Sequence, residues 1–251
     1  MKFGLCCDLT EFESALQAGF DYVEGSLSGL AGAPSLDAYR GVPMEATNLF
    51  FPGSFRLFGA ERTPYLEYAR TALERAGELG VKVAVLGSGA VRRAPEDEEL
   101  EEFEDSFAVV ASELADIAEE FGITLAPESL NRSETNIGND LGQLAHRLAN
   151  LGVAYTADSY HVLYEWKAQN PDQATPPQSI WDVHIPFAPA HVHVATLPRV
   201  APAPDDPKLS GFVTRLRQLG YDGRVSLECQ RGNSAQELAG ALSNLKSLFA
   251  G

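Results

Sequence analysis

Four residues with metal-binding side chains recur at nearly regular intervals in the second half of the chain. Glu128, Asp158, His193 and Glu228 each stand at or near the end of a short apolar segment, and successive members are 30, 35 and 35 residues apart. A carboxylate at the end of a buried strand is unfavourable unless it has a charged partner such as a metal ion. Each interval has the length of one strand plus one helix, so the spacing predicts four ligands on four successive strand ends.

The segments between these residues follow a repeated order of helix, glycine, apolar residue and strand. Eight strand candidates alternate with helical segments, which is typical of a parallel sheet. Eight such units close into a (β/α)₈ barrel, and 251 residues with 45% hydrophobic composition suit one barrel domain over residues 1–251. The junctions are Gly19-Phe20, Gly80-Val81, Gly122-Ile123, Gly152-Val153 and Gly220-Tyr221.

A doubly wound open sheet is the alternative arrangement of the same elements. Sheets of that kind that bind dinucleotides carry a glycine-rich turn after the first strand. This chain has only a fragment of such a turn, Gly87-Ser-Gly-Ala-Val-Arg92, and it follows the fourth strand candidate. We therefore favour the barrel, in which the C-terminal ends of the strands face a shared mouth. Strands five to eight are neighbours there, so their four ligands can converge on one ion.

The ligand set indicates which ion to expect. Three carboxylates and one imidazole suit a hard or borderline divalent cation. We expect Mn²⁺ first, with Mg²⁺ and Co²⁺ as alternatives, whereas zinc, with its preference for thiolates, fits less well. The three cysteines, Cys6, Cys7 and Cys229, are too few and too scattered for a disulfide framework, and we interpret them as small buried strand residues.

The charge balance limits the partners. The chain has 19 basic and 35 acidic residues, a net charge of −16, and no basic stripe. Such a surface repels phosphate backbones, so neither nucleic acid nor an anionic membrane is an expected partner. No stretch approaches the roughly 20 apolar residues of a membrane span, and the first residues contain no hydrophobic run of signal length before Asp8. We expect a cytoplasmic protein.

Several motifs in the C-terminal half resemble those of ketose 3-epimerases of the xylose-isomerase-like barrel superfamily. Glu128-Ser-Leu-Asn-Arg-Ser-Glu134 matches the pattern E-x-x-N-R-x-E, and Asp158-Ser-Tyr-His161 matches D-x-x-H. His191-Val-His193 resembles the H-x-H of that family, with Arg199 six residues later, and Val225-Ser-Leu-Glu228 resembles its closing strand. The N-terminal half resembles the broader sugar phosphate isomerase/epimerase group through shorter matches.

The resemblance implies an enzyme that epimerises or isomerises a ketose or ketose phosphate with a divalent metal held by the same four ligands. Glu128 and Glu228 would act as an acid/base pair on opposite faces of the sugar, removing a proton α to a carbonyl and returning it through an enediolate. His161 and Arg199 would bind substrate oxygens, and Glu134 would belong to the same substrate-binding group by orienting His161. Members of this group often form dimers or tetramers, so the resemblance also implies a homo-oligomer.

Other functions on the same frame stay open at this stage. Hydroxypyruvate isomerase-like and inositol-catabolic dehydratase-like relatives use similar glutamate pairs, and a barrel that binds a sugar or metal without turnover is a third alternative. An apurinic endonuclease would need a basic face and a richer cluster than the five histidines of this chain. Ala195-Thr196 stands where the epimerases often have an acidic residue, so the particular sugar is also open.

Three further expectations concern residues outside these motifs. We expect the Pro-rich segment 166–189 to be a lid or a lengthened connection. Glu24, at the end of the second strand candidate, is a possible pocket residue. His191 is interpreted as structural, with its side chain pointing away from that of His193.

Overall fold

The computed structural model describes residues 1–59, 61–96 and 98–250. In this part of the chain, eight parallel strands pair in the order β5-β4-β3-β2-β1-β8-β7-β6. They are β1 (Lys2–Cys6), β2 (Tyr22–Ser26), β3 (Met44–Asn48), β4 (Val83–Leu86), β5 (Thr124–Pro127), β6 (Thr156–Asp158), β7 (His191–Val194) and β8 (Arg224–Leu227). Their circular order confirms the predicted (β/α)₈ barrel.

The barrel closes at the junction of β5 and β6. Within the described residues these strands are joined by a single parallel bridge between Glu128 and Thr156, and the Thr156 hydroxyl donates to the Ala126 carbonyl over 2.9 Å. All other neighbouring strands form parallel ladders, and the one between β2 and β3 has a register shift between Val23 and Glu24. The β5–β6 junction is therefore the least extensively hydrogen-bonded part of the barrel wall.

Helices surround the sheet as the alternating pattern predicts. The described residues contain nine α-helices: α1 (Phe12–Gln17), α2 (Leu27–Gly32), α3 (Arg62–Glu78), α4 (Leu100–Glu120), α5 (Leu141–Ala149), α6 (Ser159–Gln169), α7 (Gln178–His184), α8 (Ser210–Gln218) and α9 (Ala235–Ala250). Their apolar faces pack on the outer side of the strands and form the larger hydrophobic core.

A smaller core fills the interior of the barrel. It consists of Tyr22, Ala46, Val83, Val85 and Ala126, all from inward-facing positions of the strands. The Tyr22 ring occupies the space beside Gly4, where a Cβ atom would lie 2.2 Å from the ring. Side chains thus fill the interior, and a site for ligands can form only at an open end of the barrel.

The segment 166–189, predicted to be a lid or a lengthened connection, is a lengthened connection with a helix of its own. It contains the end of α6 and the whole of α7, which packs on α5 and α8. Trp181 of α7 is fully buried, with its ring edge-on to Phe212 at 5.2 Å between centroids. The segment therefore belongs to the outer helical layer, where α7 lies beside Gly142 and Gly211 at the N-terminal ends of α5 and α8.

Candidate metal centre and active site

The four predicted ligands come together at the C-terminal end of the barrel. Glu128 directly follows β5, Asp158 ends β6, His193 lies in β7, and Glu228 directly follows β8. One ligand atom from each lies within 4.8 Å of those of the other three. The side chains of Asp158 and His193 are buried, and that of Glu228 is 21% exposed, so the cluster opens toward the mouth on its Glu228 side.

The charges in this cluster do not balance. His193 Nδ1 lies 2.9 Å from Glu128 Oε1 and 3.5 Å from Glu228 Oε2. Burial and the negative charges of Glu128 and Glu228 raise the pKa of Asp158 well above its ordinary value. Burial also raises the pKa of Glu228, even though the neighbouring imidazolium opposes this. Three carboxylates therefore share one imidazole and one guanidinium, that of Arg199, and a divalent cation fits both the remaining negative charge and the oxygen-rich donor set.

His193 is held on its other side by Glu24. Glu24 Oε1 lies 2.8 Å from His193 Nε2, and Glu24 Oε2 lies 2.8 Å from His191 Nε2. The expectation that His191 points away from His193 is wrong, because side chains two residues apart on a strand lie on the same face. Both rings point into the barrel, with centroids 5.0 Å apart. Glu24 lies within β2, below the mouth, and not in the pocket.

His161 presents a free N–H group to the site. Its Nδ1 accepts the backbone N–H of Asn131 over 3.0 Å, which places the ring proton on Nε2. Nε2 lies 3.6 Å from Asp158 Oδ2 and has no hydrogen-bond partner among the described residues. Burial lowers the pKa of His161 to about 3, so the ring is neutral. A buried N–H without a partner at the mouth is suited to bind a substrate oxygen.

Asn131, rather than Glu134, orients His161. The Asn131 side-chain amide lies 2.9 Å from His161 Nδ1, whereas the Glu134 carboxylate lies 4.0 Å from it. Glu134 Oε1 accepts from the Asn131 amide over 3.2 Å and from Arg199 Nη1 over 3.0 Å. Glu134 therefore acts on the histidine through Asn131. The sequence motif contains this asparagine, but only the folded loop reveals its contact.

Arg199 connects Glu134, in the loop after β5, with Glu228, directly after β8. Its Nη2 donates to Glu228 Oε2 over 2.9 Å, and its guanidinium lies 4.8 Å from the centre of the Tyr160 ring. Burial lowers the pKa of Arg199, but the charges of Glu228 and Asp158 outweigh this and raise it. The residue has a φ of +88°, a strained conformation for a side chain of this size. Strain of this kind is concentrated at functional sites.

A cavity of about 390 Å³ opens beside Glu228 and Arg199. Its wall includes Cys6, Cys7 and Cys229, so the cysteines predicted to be buried strand residues are instead half-buried at the pocket. Burial raises the pKa of Cys7 to about 12 and that of Cys229 to about 11. The thiols are therefore uncharged at neutral pH, and the charged part of the cavity wall comes from Asp8, Glu11, Arg199 and Glu228.

The raised pKa values predict slow alkylation of these thiols. The thiolate is the reactive form, and a higher pKa leaves less of it at any given pH. At pH 8, iodoacetamide should therefore react with Cys229 roughly 100-fold, and with Cys7 roughly 1000-fold, more slowly than with an ordinary free cysteine. Mass spectrometry of labelled peptides over time measures this rate. Protein unfolded in urea, in which both should react at the ordinary rate, is the control, and equally fast labelling of the folded protein would contradict the prediction.

The sequence matches a family model over most of its length. Residues 12–248 match the model described as Xylose isomerase-like TIM barrel. The chain belongs to this family. The predicted membership of the xylose-isomerase-like barrel superfamily is thereby confirmed. No curated protein matches the chain in sequence.

Solved structures of sugar epimerases share the fold of this family member. A D-psicose 3-epimerase determined in the presence of D-fructose has a TM-score of 0.77 and 15% identity, covering 100% of both chains. A D-psicose 3-epimerase from Clostridium cellulolyticum H10 with D-tagatose has a TM-score of 0.78 and 16% identity, covering 99% of both chains. The 3-keto-D-glucoside 4-epimerase from E. coli has a TM-score of 0.75 and 20% identity, covering 98% of this chain and 99% of that one. At these identities the likeness establishes the fold.

The length and apolar character of the helices determine whether any of them could span a membrane. Among the residues that the structure describes, none of the helices combines the length and the apolar character needed to cross a bilayer.

Proposed function

We propose that this protein is a metal-dependent enzyme that epimerises or isomerises a sugar, with a ketose or ketose phosphate as substrate. The observation that carries the proposal is the convergence of three carboxylates and one imidazole at the barrel mouth, next to a neutral histidine N–H and an arginine. The structural relatives whose names describe ketose and keto-sugar epimerases support the same chemistry. We place the whole chain, residues 1–251, in one such barrel domain.

In the proposed mechanism, Glu128, Asp158, His193 and Glu228 would hold a divalent ion, and Mn²⁺ is the ion we expect. When bound, such an ion would polarise the substrate carbonyl and offset the negative charge that develops on proton removal. This donor set of oxygen and imidazole suits Mn²⁺, with Mg²⁺ or Co²⁺ as substitutes.

The protein side chains would carry out the proton transfers. One of Glu128 and Glu228 would remove the proton α to the carbonyl, and the other would return a proton to the opposite face, which inverts the stereocentre. The His161 Nε2–H group would donate a hydrogen bond to the oxygen that becomes an enediolate oxygen. Arg199, held between Glu134 and Glu228, would position a neighbouring hydroxyl and keep Glu228 in place.

Hydrogen exchange with solvent tests this proposal. The purified protein with Mn²⁺ is incubated in D₂O with D-psicose, D-tagatose, D-fructose, L-ribulose and the corresponding ketose phosphates, and each carbon position is read by NMR. We expect deuterium at C3, and we expect an excess of chelator to stop its incorporation.

Each alternative outcome has a distinct meaning. Exchange at C1 would assign the protein to aldose–ketose isomerisation instead of 3-epimerisation. Exchange that persists after the chelator has removed all metal would contradict the metal-dependent mechanism, and no exchange across the whole panel would contradict a ketose substrate.

A further inference from the structure

Directly below the proposed metal ligands lies a buried cluster that the catalytic mechanism does not use. Glu24 is completely buried and accepts hydrogen bonds at both oxygens. Its Oε1 lies 2.8 Å from His193 Nε2, while its Oε2 lies 2.8 Å from His191 Nε2 and 2.6 Å from the Ser226 hydroxyl. Ser226 in turn lies 2.8 Å from the Tyr22 hydroxyl. A negative charge in the barrel interior is thus surrounded by donors.

These contacts fix which nitrogen of His193 carries a proton toward the interior. An ionised carboxylate can only accept hydrogen bonds, so His193 must donate to Glu24 from Nε2. The other nitrogen, Nδ1, faces Glu128 and Glu228 at the mouth. A histidine binds a metal ion through a nitrogen without a proton. Any ion in the cluster must therefore replace the proton at Nδ1, while the Nε2 proton stays with Glu24.

We propose that Glu24 is a positioning residue that sets the affinity of the centre for its cation by fixing the His193 ring and its tautomer. The inference rests on the proposed metal site above it. Outer carboxylates of this kind raise the basicity of the metal-binding nitrogen, and their loss typically weakens metal binding by about 10- to 100-fold. Cys6 lies within the same 4.8 Å grouping as Glu24 and His193, but its neutral thiol is a weak acceptor and cannot replace the carboxylate.

The geometry also explains how Glu24 is held. His191 and Ser226 both bind Oε2, so the carboxylate cannot rotate away from His193 without breaking two hydrogen bonds. His191 Nδ1 has no hydrogen-bond partner among the described residues, and Nε2 lies 2.8 Å from Glu24 Oε2 and 3.4 Å from the Ser226 hydroxyl, so Glu24 is the nearest group that holds this ring. His191 therefore supports Glu24, and only His193 reaches the proposed ligand cluster.

The test is the dissociation constant of Mn²⁺, measured on metal-free protein by the EPR signal of free Mn²⁺. We expect Glu24→Gln to raise this constant about 10- to 100-fold, because the neutral amide replaces a charged acceptor at nearly the same size. Tyr22→Phe is the matched control, since it removes a buried hydroxyl of the same cluster, the one that contacts Ser226, and leaves the hydrogen bonds of Glu24 in place. Its Mn²⁺ dissociation constant should stay within about threefold of the wild-type value. Thermal unfolding of each metal-free variant shows whether it is folded.

The outcomes separate this inference from the proposed function. Wild-type protein that binds no Mn²⁺, Mg²⁺ or Co²⁺ would overturn both. Wild-type binding with an unchanged constant in folded Glu24→Gln would overturn the role of Glu24 alone, as would equal weakening in Tyr22→Phe. Should Glu24→Gln not fold, Glu24→Asp provides the second measurement: its carboxylate is one methylene shorter and cannot hold both histidines at 2.8 Å. Unweakened binding in folded Glu24→Asp would likewise overturn the proposal.

Discussion

Replacement of Glu228 by glutamine is expected to reduce kcat for epimerisation by roughly 10²- to 10⁴-fold, the range in which a positioned acid or base contributes. The amide has nearly the same shape, and its oxygen can still accept the hydrogen bond that Arg199 Nη2 now makes to Glu228 Oε2 over 2.9 Å. It cannot take up or release the proton, however. Substrate binding should therefore persist while epimerisation is lost, and initial rates at saturating Mn²⁺ measure that loss. Deuterium incorporation should continue only for the epimer whose α proton faces the intact Glu128.

A second variant separates proton transfer from the general effect of removing a charge. Glu134→Gln removes a carboxylate that also binds Arg199, at 3.0 Å, but that has no proposed role in proton transfer. We expect this variant to raise KM more than it lowers kcat, because it loosens Arg199 and Asn131. If Glu228→Gln turned over substrate at the wild-type rate, the mechanism with two carboxylates would be wrong.

Replacement of Trp181 by alanine is expected to lower the free energy of unfolding by about 3–5 kcal/mol, the usual effect of truncating a large buried aromatic residue. Trp181 is fully buried and packs so closely on α8 that a Cβ atom at Gly211 would lie 2.3 Å from its ring. Truncation to alanine would therefore leave a cavity between α7 and α8. Urea unfolding of the metal-free protein, followed by circular dichroism, measures the change.

Phenylalanine at the same position is the control. It retains an aromatic ring against Phe212 and removes an indole N–H that has no hydrogen-bond partner within the described chain. The loss for Trp181→Phe should therefore stay below about 1.5 kcal/mol. If Trp181→Ala lowered the free energy of unfolding by less than about 1 kcal/mol, α7 would not unfold together with the rest of the barrel, contrary to what its packing indicates.

The barrel and the four converging residues could be predicted because both follow from periodicity. One strand and one helix occupy about 35 residues, so residues at this spacing lie at equivalent positions of neighbouring units, and the fold then brings them to the same end. The family match confirms the fold. The roles of the site residues in catalysis and metal binding stay predictions that the experiments above test.

The errors also have physical causes. The prediction that the His191 side chain points away from that of His193 was wrong. Side chains alternate along a strand with a period of two residues, which places His191 and His193 on the same face. Because both rings point into the barrel, both contact Glu24. Glu24 lies on β2, far from β7 in the sequence. The contacts of Asn131 with His161 depend on the conformation of the loop after β5, and local sequence does not determine how such a loop folds back.

The weakly bonded junction between β5 and β6 gives the proposed ion a second consequence. Glu128, on the β5 side, forms the single bridge there with Thr156, and Asp158 ends β6 two residues later. An ion bound by both carboxylates would connect β5 and β6 at the junction where they share the fewest hydrogen bonds. Separation of β5 from β6 would then weaken binding of the ion. By the same linkage, saturation with metal would stabilise the closed barrel against this opening.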